Sequence, residues 1–187
     1  MRQLRWSRLA LPALLLLIGC TSPDPVQEFE MLDLETYWAV GTPRGGTQYL
    51  SPVVRFRLRH KGQEAHRSVQ ATAAFRRQGE EETWGSGWAR VNPQGELFAP
   101  GEVHEVVMIS DARYTSNGPI EGMLAHPEFV DTNVDVFIRA GSSQWTRFAQ
   151  LPVERRLGSR TVITAEPSPS TEPEPQVEGN DGTTDAG

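Results

Sequence analysis

The sequence has a single cysteine, Cys20, among its 187 residues. One thiol cannot form a disulfide within the chain, and it cannot supply a cysteine-rich zinc site. Stability must therefore come from an apolar core. Roughly 135 residues lie between the two low-complexity ends of the sequence, which is enough for one domain but not for two.

Positive charge is also scarce, because 18 lysines and arginines face 24 aspartates and glutamates and leave a formal net charge of −6. Proteins that bind nucleic acids carry the opposite balance, since they neutralise phosphates. We therefore expect no nucleic-acid partner.

After residue 164, prolines recur among serine, threonine and glutamate. Such a segment buries too little apolar surface to fold, so residues 165–187 are predicted to form a disordered acidic tail.

No apolar run is long enough to span a membrane. The longest run covers 9–18, whereas a transmembrane helix needs about 20 residues. Arg2, Arg5 and Arg8 precede the run, and Gly19 and Cys20 follow it. Basic residues, a short apolar run and a small residue in this order are typical of an export signal. We expect residues 1–19 to be a signal peptide.

The four residues Leu17-Ile18-Gly19-Cys20 resemble the lipobox of bacterial lipoproteins, whose cysteine is diacylglycerated before a peptidase cuts in front of it. The resemblance implies lipidation at Cys20. The polar, proline-bearing residues that follow predict a short tether at 20–27. Thr21 is not the aspartate that commonly retains such proteins in the inner membrane, so in a diderm host the resemblance favours the outer membrane, facing the periplasm. The alternative is an ordinary signal peptide that contains a cysteine by coincidence.

Apolar and polar residues alternate along most of the remaining chain, a period that is typical of half-buried strands. Strands are predicted at 32–40, with a bulge near 31 or 32, and at 54–60, 69–75, 83–91, 103–109, 134–138 and 145–153. No predicted helix is long enough for a crossover between parallel strands. The fold predicted for residues 28–164 is an all-β, immunoglobulin-like antiparallel β-sandwich of about seven or eight strands.

Two turn regions resemble the immunoglobulin-like FxLYD and CARDB domains of exported bacterial and archaeal proteins. Phe75-Arg76-Arg77-Gln78-Gly79 ends one predicted strand, and Ala99-Pro100-Gly101-Glu102 opens a later one. In those domains a strand ends in a phenylalanine and a glycine-containing turn, and a Leu-x-Pro-Gly-Glu turn opens a later strand. The resemblance covers residues 53–110 and implies adhesion or scaffolding rather than catalysis.

The segment 110–133 lacks strand periodicity and is the best candidate for a binding site, because long polar loops on a rigid sheet often carry function. Its candidate partner-binding residues are Asp111, Arg113 and Tyr114, and one short helix is predicted at 120–125. Asp111, Asp131 and Asp135 offer oxygens to a calcium ion, although their spacing is not that of an EF-hand. A plain connecting loop is the alternative.

Trp84 and Trp88 lie four residues apart on one predicted strand, so they are expected to share a face, with Gly85 and Gly87 on the other. The two indoles either cap the core or form an exposed platform that stacks sugar rings. Both tryptophans are therefore also candidate partner-binding residues.

Catalytic and metal-binding patterns are lacking. None of the histidines stands in a metal-ligand spacing, and the sequence around Ser86 is not the serine elbow of a hydrolase. The four histidines are His60, His66, His104 and His126. We therefore predict no metal site, no cofactor and no enzymatic activity.

Arg55, Arg57 and Arg59 are predicted to form an outward stripe on one strand. Cross-strand pairing with carboxylates is the preferred interpretation, and contact with anionic glycan or lipid head groups is the alternative.

Together these features predict a membrane-anchored cell-envelope lipoprotein that acts as a non-enzymatic interaction or assembly module for an envelope protein. Binding of envelope polysaccharide or peptidoglycan through exposed aromatic residues is the alternative. An unrecognised hydrolase is a more distant alternative.

Overall fold

The computed structural model describes residues 24–41 and 47–158, which contain eight strands and two helices of one turn each. The strands are β1 (Phe29–Val40), β2 (Gln48–His60), β3 (Val69–Arg77), β4 (Gly85–Arg90), β5 (Val103–Ile109), β6 (Tyr114–Ser116), β7 (Thr132–Ala140) and β8 (Thr146–Pro152), and the helices are α1 (Pro25–Glu28) and α2 (Ile120–Met123). Neither helix of the described residues has the length and apolar character that crossing a membrane requires.

The strands form two antiparallel sheets. The first has the order β1-β2-β5, with β6 paired to the start of β2, and the second has the order β4-β3-β7-β8. The chain changes sheet between β2 and β3, between β4 and β5, and between β6 and β7, as in the Greek-key connections of immunoglobulin-like sandwiches. The predicted sandwich is confirmed, and all seven predicted strands are present.

β2 is the central strand of the first sheet, and its sequence alternation determines its two faces. Val54, Phe56 and Leu58 are completely buried, and the arginines between them point outward. The arginines pair with both neighbouring strands: Arg55 with Glu35 and Glu105, Arg57 with Asp33, and Arg59 with Glu30. The cross-strand pairing expected from the sequence is therefore present, and the charges of the stripe are matched within the sheet.

The core between the sheets is built from large side chains. Trp38, Phe75 and Phe98 have no exposed surface, and burial of a large apolar side chain contributes about 1.5–3 kcal/mol relative to exposure. The ring of Trp38 packs edge-on against Phe129, with 4.8 Å between the centroids. The core therefore extends into the segment 110–133.

A bulge interrupts β1 between Leu32 and Glu35. Asp33 adopts a φ of +50° there, a left-handed conformation that aspartate tolerates better than most residues. The expected bulge is present, slightly later than predicted. Beyond it, Thr36 and Trp38 are both buried.

The packed domain begins earlier than residue 28. Asp24 caps α1 by accepting a hydrogen bond from the Val26 backbone N–H at 3.1 Å, and Pro25 is buried at the start of the helix. These residues were predicted to belong to the tether, because a single helical turn has no periodicity to detect. The predicted signal peptide, Cys20 and the predicted tail lie outside the described residues.

Candidate functional site

The segment 110–133 folds over one end of the sandwich. We expected it to be free of strand pairing, which is wrong for β6, because β6 pairs with residues 48–50 of β2. A strand of three residues is too short to show an alternation pattern, so the sequence could not reveal it. The helix α2 lies within the predicted range 120–125, and it is anchored by the buried side chains of Ile120 and Met123.

A cavity of about 450 Å³ lies between β6, α2 and the residues that follow α2. Its apolar lining includes Tyr114, Met123 and Phe129, and its polar lining includes His126 and Glu128. Small-molecule and side-chain pockets commonly have volumes of about 300–1,000 Å³ and combine apolar walls with a few polar groups. The cavity therefore has the size and composition of a binding pocket.

Tyr114 connects this cavity to the core. Its hydroxyl donates a hydrogen bond to the Val130 carbonyl at 3.3 Å. Its ring centroid lies 5.7 Å from that of Trp38, 5.0 Å from that of Trp84 and 4.9 Å from that of Phe129. Of the candidate partner-binding residues in this segment, Tyr114 is the one that lines the cavity, and it also packs against the core.

Arg155 fixes the segment that forms one side of the cavity. Its guanidinium donates to Asp131 Oδ1 at 2.6 Å, to the Leu124 carbonyl at 3.0 Å and to the Phe129 carbonyl at 3.3 Å. The hydrogen bond to Asp131, together with the charge of that carboxylate, raises the pKa of Arg155. Arg155 was not predicted as a site residue, because its partners are distant in the chain and no local pattern marks them.

Arg113 and Asp111 lie outside the cavity. Arg113 is exposed, and its guanidinium carbon lies 4.7 Å from the centroid of the Tyr49 ring. Asp111 accepts hydrogen bonds from the Ser86 backbone N–H at 2.6 Å and from the Ser86 hydroxyl at 3.3 Å. Asp111 therefore fastens the edge strand β4 to the end of β5.

The three aspartates considered as calcium ligands do not converge. Asp111 is hydrogen-bonded to β4, and Asp131 accepts from Arg155. Asp135 is buried on β7 and pairs with Arg76 of β3. Within residues 24–41 and 47–158, these carboxylates form no group that could hold an ion, so the calcium interpretation has no geometric support.

Trp84 and Trp88 do not form the two-ring surface that their spacing predicted. Trp88 is 59% exposed on the outer face of the edge strand β4. Trp84 precedes β4 and is half-buried against the ring of Tyr114. One tryptophan therefore caps the core, and the other stands alone on the surface.

Gly85 and Gly87, expected on the face opposite the tryptophans, are both buried where β4 crosses the end of β5. A Cβ on Gly87 would lie 3.0 Å from the Ile109 carbonyl oxygen, and one on Gly85 would overlap Ser110 Oγ. The glycines thus allow close approach of the two sheets.

At the opposite end of the sandwich, Glu28, His60 and His66 come together. Each offers a ligand-type oxygen or nitrogen within 4.8 Å of the other two. The two histidines were not expected to form a site because a turn lies between them, yet their ring centroids are 5.0 Å apart. Glu28 joins them because its neighbour Phe29 pairs with His60 across β1 and β2. In the sequence, the two histidines that flank one loop could have indicated that they lie close together. The presence of Glu28 beside them could not be predicted without the register of β1 and β2.

No protein-family model and no curated protein sequence matches this chain. Among solved structures, the chain is similar to a crystal structure of a Bordetella pertussis protein provisionally named ApaA, with a TM-score of 0.31 and 12% identity over 68% of this chain and 95% of that chain. A similarity this low does not support a conclusion about fold or function. The fold is assigned from the strand pairing described above.

Proposed function

We propose that the chain is a lipid-anchored cell-envelope protein that binds a segment of an envelope protein in the cavity beside Tyr114, without catalysis. The observation that carries the proposal is the cavity itself, which combines an aromatic wall with polar groups and is lined by residues of the segment 110–133. Rigid aromatic side chains such as tyrosine often dominate the binding energy of protein interfaces.

The lining also indicates the chemistry of the partner. Tyr114, Met123 and Phe129 suit an apolar or aromatic side chain, whereas His126 and Glu128 can hydrogen-bond to the backbone beside it. A short peptide segment with one protruding apolar residue meets both requirements. We therefore favour a protein partner over a purely polar ligand at this site.

Two polar side chains of the cavity lining, those of Ser116 and His126, hold local turns. Ser116 Oγ accepts from the Gly118 backbone N–H at 2.9 Å, and His126 Nδ1 accepts from the Glu128 backbone N–H at 3.3 Å. A nucleophile would instead need its hydroxyl beside a general base. This arrangement supports binding rather than catalysis.

The position of the cavity suits a membrane-anchored protein. Cys20 precedes Asp24 by four residues, so a lipid there would lie within about 15 Å of α1. The cavity lies beside the opposite end of β2, and a strand of 13 residues spans about 40 Å. An anchor on Cys20 would therefore place the cavity away from the membrane, where a partner can reach it.

In-cell photo-crosslinking tests this function. A photoreactive amino acid at Thr115, an exposed residue that lines the cavity, should give a discrete adduct with one envelope protein. The same probe at Glu64, exposed at the opposite end, should not give that adduct. Equal labelling from both positions would contradict a partner site at the cavity.

The anchor is tested by fractionation. Cys20→Ser should release the protein from the membrane fraction or leave the signal peptide uncleaved, because stable anchoring depends on the acyl chains. A mature-sized Cys20→Ser species that still sediments with membranes would contradict lipid anchoring.

Glycan binding is the second candidate function, and the exposed indole of Trp88 favours it. Trp88→Ala should then weaken co-sedimentation with purified peptidoglycan sacculi. Trp145→Ala is the matched control, because Trp145 is 39% exposed and lies beneath Arg139. Equal sedimentation of both variants and the unaltered protein would exclude Trp88 as a glycan contact.

A further inference from the structure

The backbone around Glu28, His60 and His66 is fixed by hydrogen bonds that do not involve their side chains. Two N–H groups of the loop after His60 donate to the Glu28 carbonyl, at 2.8 and 3.1 Å. His66 exchanges two backbone hydrogen bonds with Phe98, at 3.0 and 2.8 Å. The three side chains are thus held together by the start of β1, the end of β2 and the loop between β2 and β3.

Several polar atoms of this cluster have no hydrogen-bond partner among the described residues. His60 has no exposed surface, and neither of its ring nitrogens makes a hydrogen bond within this part of the chain. Glu28 Oε2 and His66 Nε2 lie 2.6 Å apart in a close contact, both atoms are buried, and neither has an assigned hydrogen bond among the described residues. Buried polar groups in folded proteins are nearly always satisfied, so a cluster of unsatisfied donors and acceptors requires an explanation.

The surroundings of the cluster are aromatic. The ring centroid of Phe29 lies 5.1 Å from that of His60 and 5.4 Å from that of His66. The Phe29 ring also stacks on Phe98, with 5.8 Å between the centroids. Such a shell excludes water from most of the site and strengthens the interaction between charged groups. The side chains of Glu28 and His66 retain 14% and 16% exposure, so the cluster lies at the edge of the core.

We propose that Glu28, His60 and His66 bind one divalent transition-metal ion, with Zn²⁺ as the ion that the donors favour. Two imidazoles and one carboxylate form a donor set that zinc uses in proteins, whereas calcium and magnesium prefer oxygen alone. Tetrahedral coordination at 2.0–2.1 Å separates ligand atoms by about 3.3 Å. Atoms that already lie within 4.8 Å of one another need only small rotations to reach that spacing.

The ion stabilises the N-terminal end of the domain. It joins the residue that precedes β1 to the last residue of β2 and to the loop that leads to β3. Binding to the folded state alone shifts the unfolding equilibrium by mass action, so the melting temperature should rise with zinc concentration. The proposal concerns the end of the sandwich remote from the Tyr114 cavity, so it does not depend on partner binding there.

Calorimetric titration with ZnCl₂ tests the site. The full chain is purified in detergent with Cys20→Ser in every variant, so that the one thiol cannot bind the ion, and it is stripped with a chelator. We expect one zinc ion per chain and a higher melting temperature after zinc is added. Co²⁺ should give the visible absorption bands of a tetrahedral nitrogen and oxygen site. Absence of saturable binding would overturn the proposal.

Two variants at the partly exposed edge of the cluster locate the site. His66→Ala and Glu28→Gln should each weaken zinc affinity by at least about tenfold, since loss of a ligand exceeds the effect of its supporting groups. His104→Ala is the matched control, because His104 contacts Phe98 but is outside the cluster. The zinc affinity of this variant should equal that of the parent protein. If His66→Ala does not fold, Glu28→Gln decides alone. Undiminished affinity in Glu28→Gln, or a loss confined to His104→Ala, would contradict the assignment.

Discussion

The ring centroids of Trp84 and Tyr114 lie 5.0 Å apart, although Trp84 leads into β4 of one sheet and Tyr114 begins β6 of the other. Both residues are half-buried and pack against the core cluster. Their contact closes one end of the sandwich and at the same time supports a wall of the cavity. Tyr114 therefore has a structural role in addition to its proposed role in binding.

Tyr114 should contribute to stability in two separable ways. Tyr114→Phe removes the hydrogen bond to Val130 and should cost about 1 kcal/mol. Tyr114→Ala also removes the ring contacts and should cost about 2–3 kcal/mol, less than a fully buried aromatic residue. Urea titration followed by circular dichroism measures both. Arg113→Ala, a change at an exposed neighbour, is the control and should alter stability by less than about 0.5 kcal/mol. Equal stability of all three variants would show that Tyr114 does not close the core.

Gly85 should be intolerant of a side chain. A Cβ at this position would overlap Ser110 Oγ and approach Ala112 Cβ, because β4 crosses close to the end of β5. Gly85→Ala should therefore lower the free energy of unfolding by about 1–3 kcal/mol. At Gly122 of α2, a Cβ meets no atom within 4 Å, so Gly122→Ala should be neutral or slightly stabilising. Similar unfolding midpoints for the two variants would contradict the close approach of β4 and β5.

Arg155 should order the residues between α2 and β7. Arg155→Ala removes its hydrogen bonds to Leu124, Phe129 and Asp131, so backbone amides at 124–131 should exchange hydrogen faster. Hydrogen-exchange mass spectrometry measures this, and peptides of β2 and β3 serve as internal controls. Unchanged exchange at 124–131 would mean that other contacts hold the segment in place.

The sequence predicted the elements whose signal is local. Alternation along 54–60 and 69–75 identified β2 and β3, and the alternating arginines indicated cross-strand ion pairs, because strand periodicity acts between near neighbours. The features that were missed depend on register or on distant pairing. Tyr114 pairs with β2 through a strand of three residues, and Arg155 binds a segment of the chain that lies before β7. No window of the sequence contains both partners of such contacts.

The prediction that Trp84 and Trp88 share one face failed because the sequence did not show where β4 begins. Spacing placed Trp84 and Trp88 on one face of a strand, but β4 begins at Gly85, so Trp84 is free of the strand geometry. It turns towards Tyr114, whereas Trp88 follows the alternation of β4 and is exposed. A shift of one residue at the boundary of a strand was enough to separate the two rings.

The central claim, that a partner segment occupies the cavity beside Tyr114, is tested most directly by blocking the cavity. Gly122 lines it and has open space around its Cβ direction, so Gly122→Phe should fill the cavity without disturbing the backbone. Glu121→Phe adds the same side chain one residue away, at an exposed position that does not line the cavity. The measurement is the yield of the photo-crosslinked adduct from Thr115 in both variants. The account predicts loss of most of the adduct in Gly122→Phe and an unchanged yield in Glu121→Phe; an undiminished adduct in Gly122→Phe would contradict it.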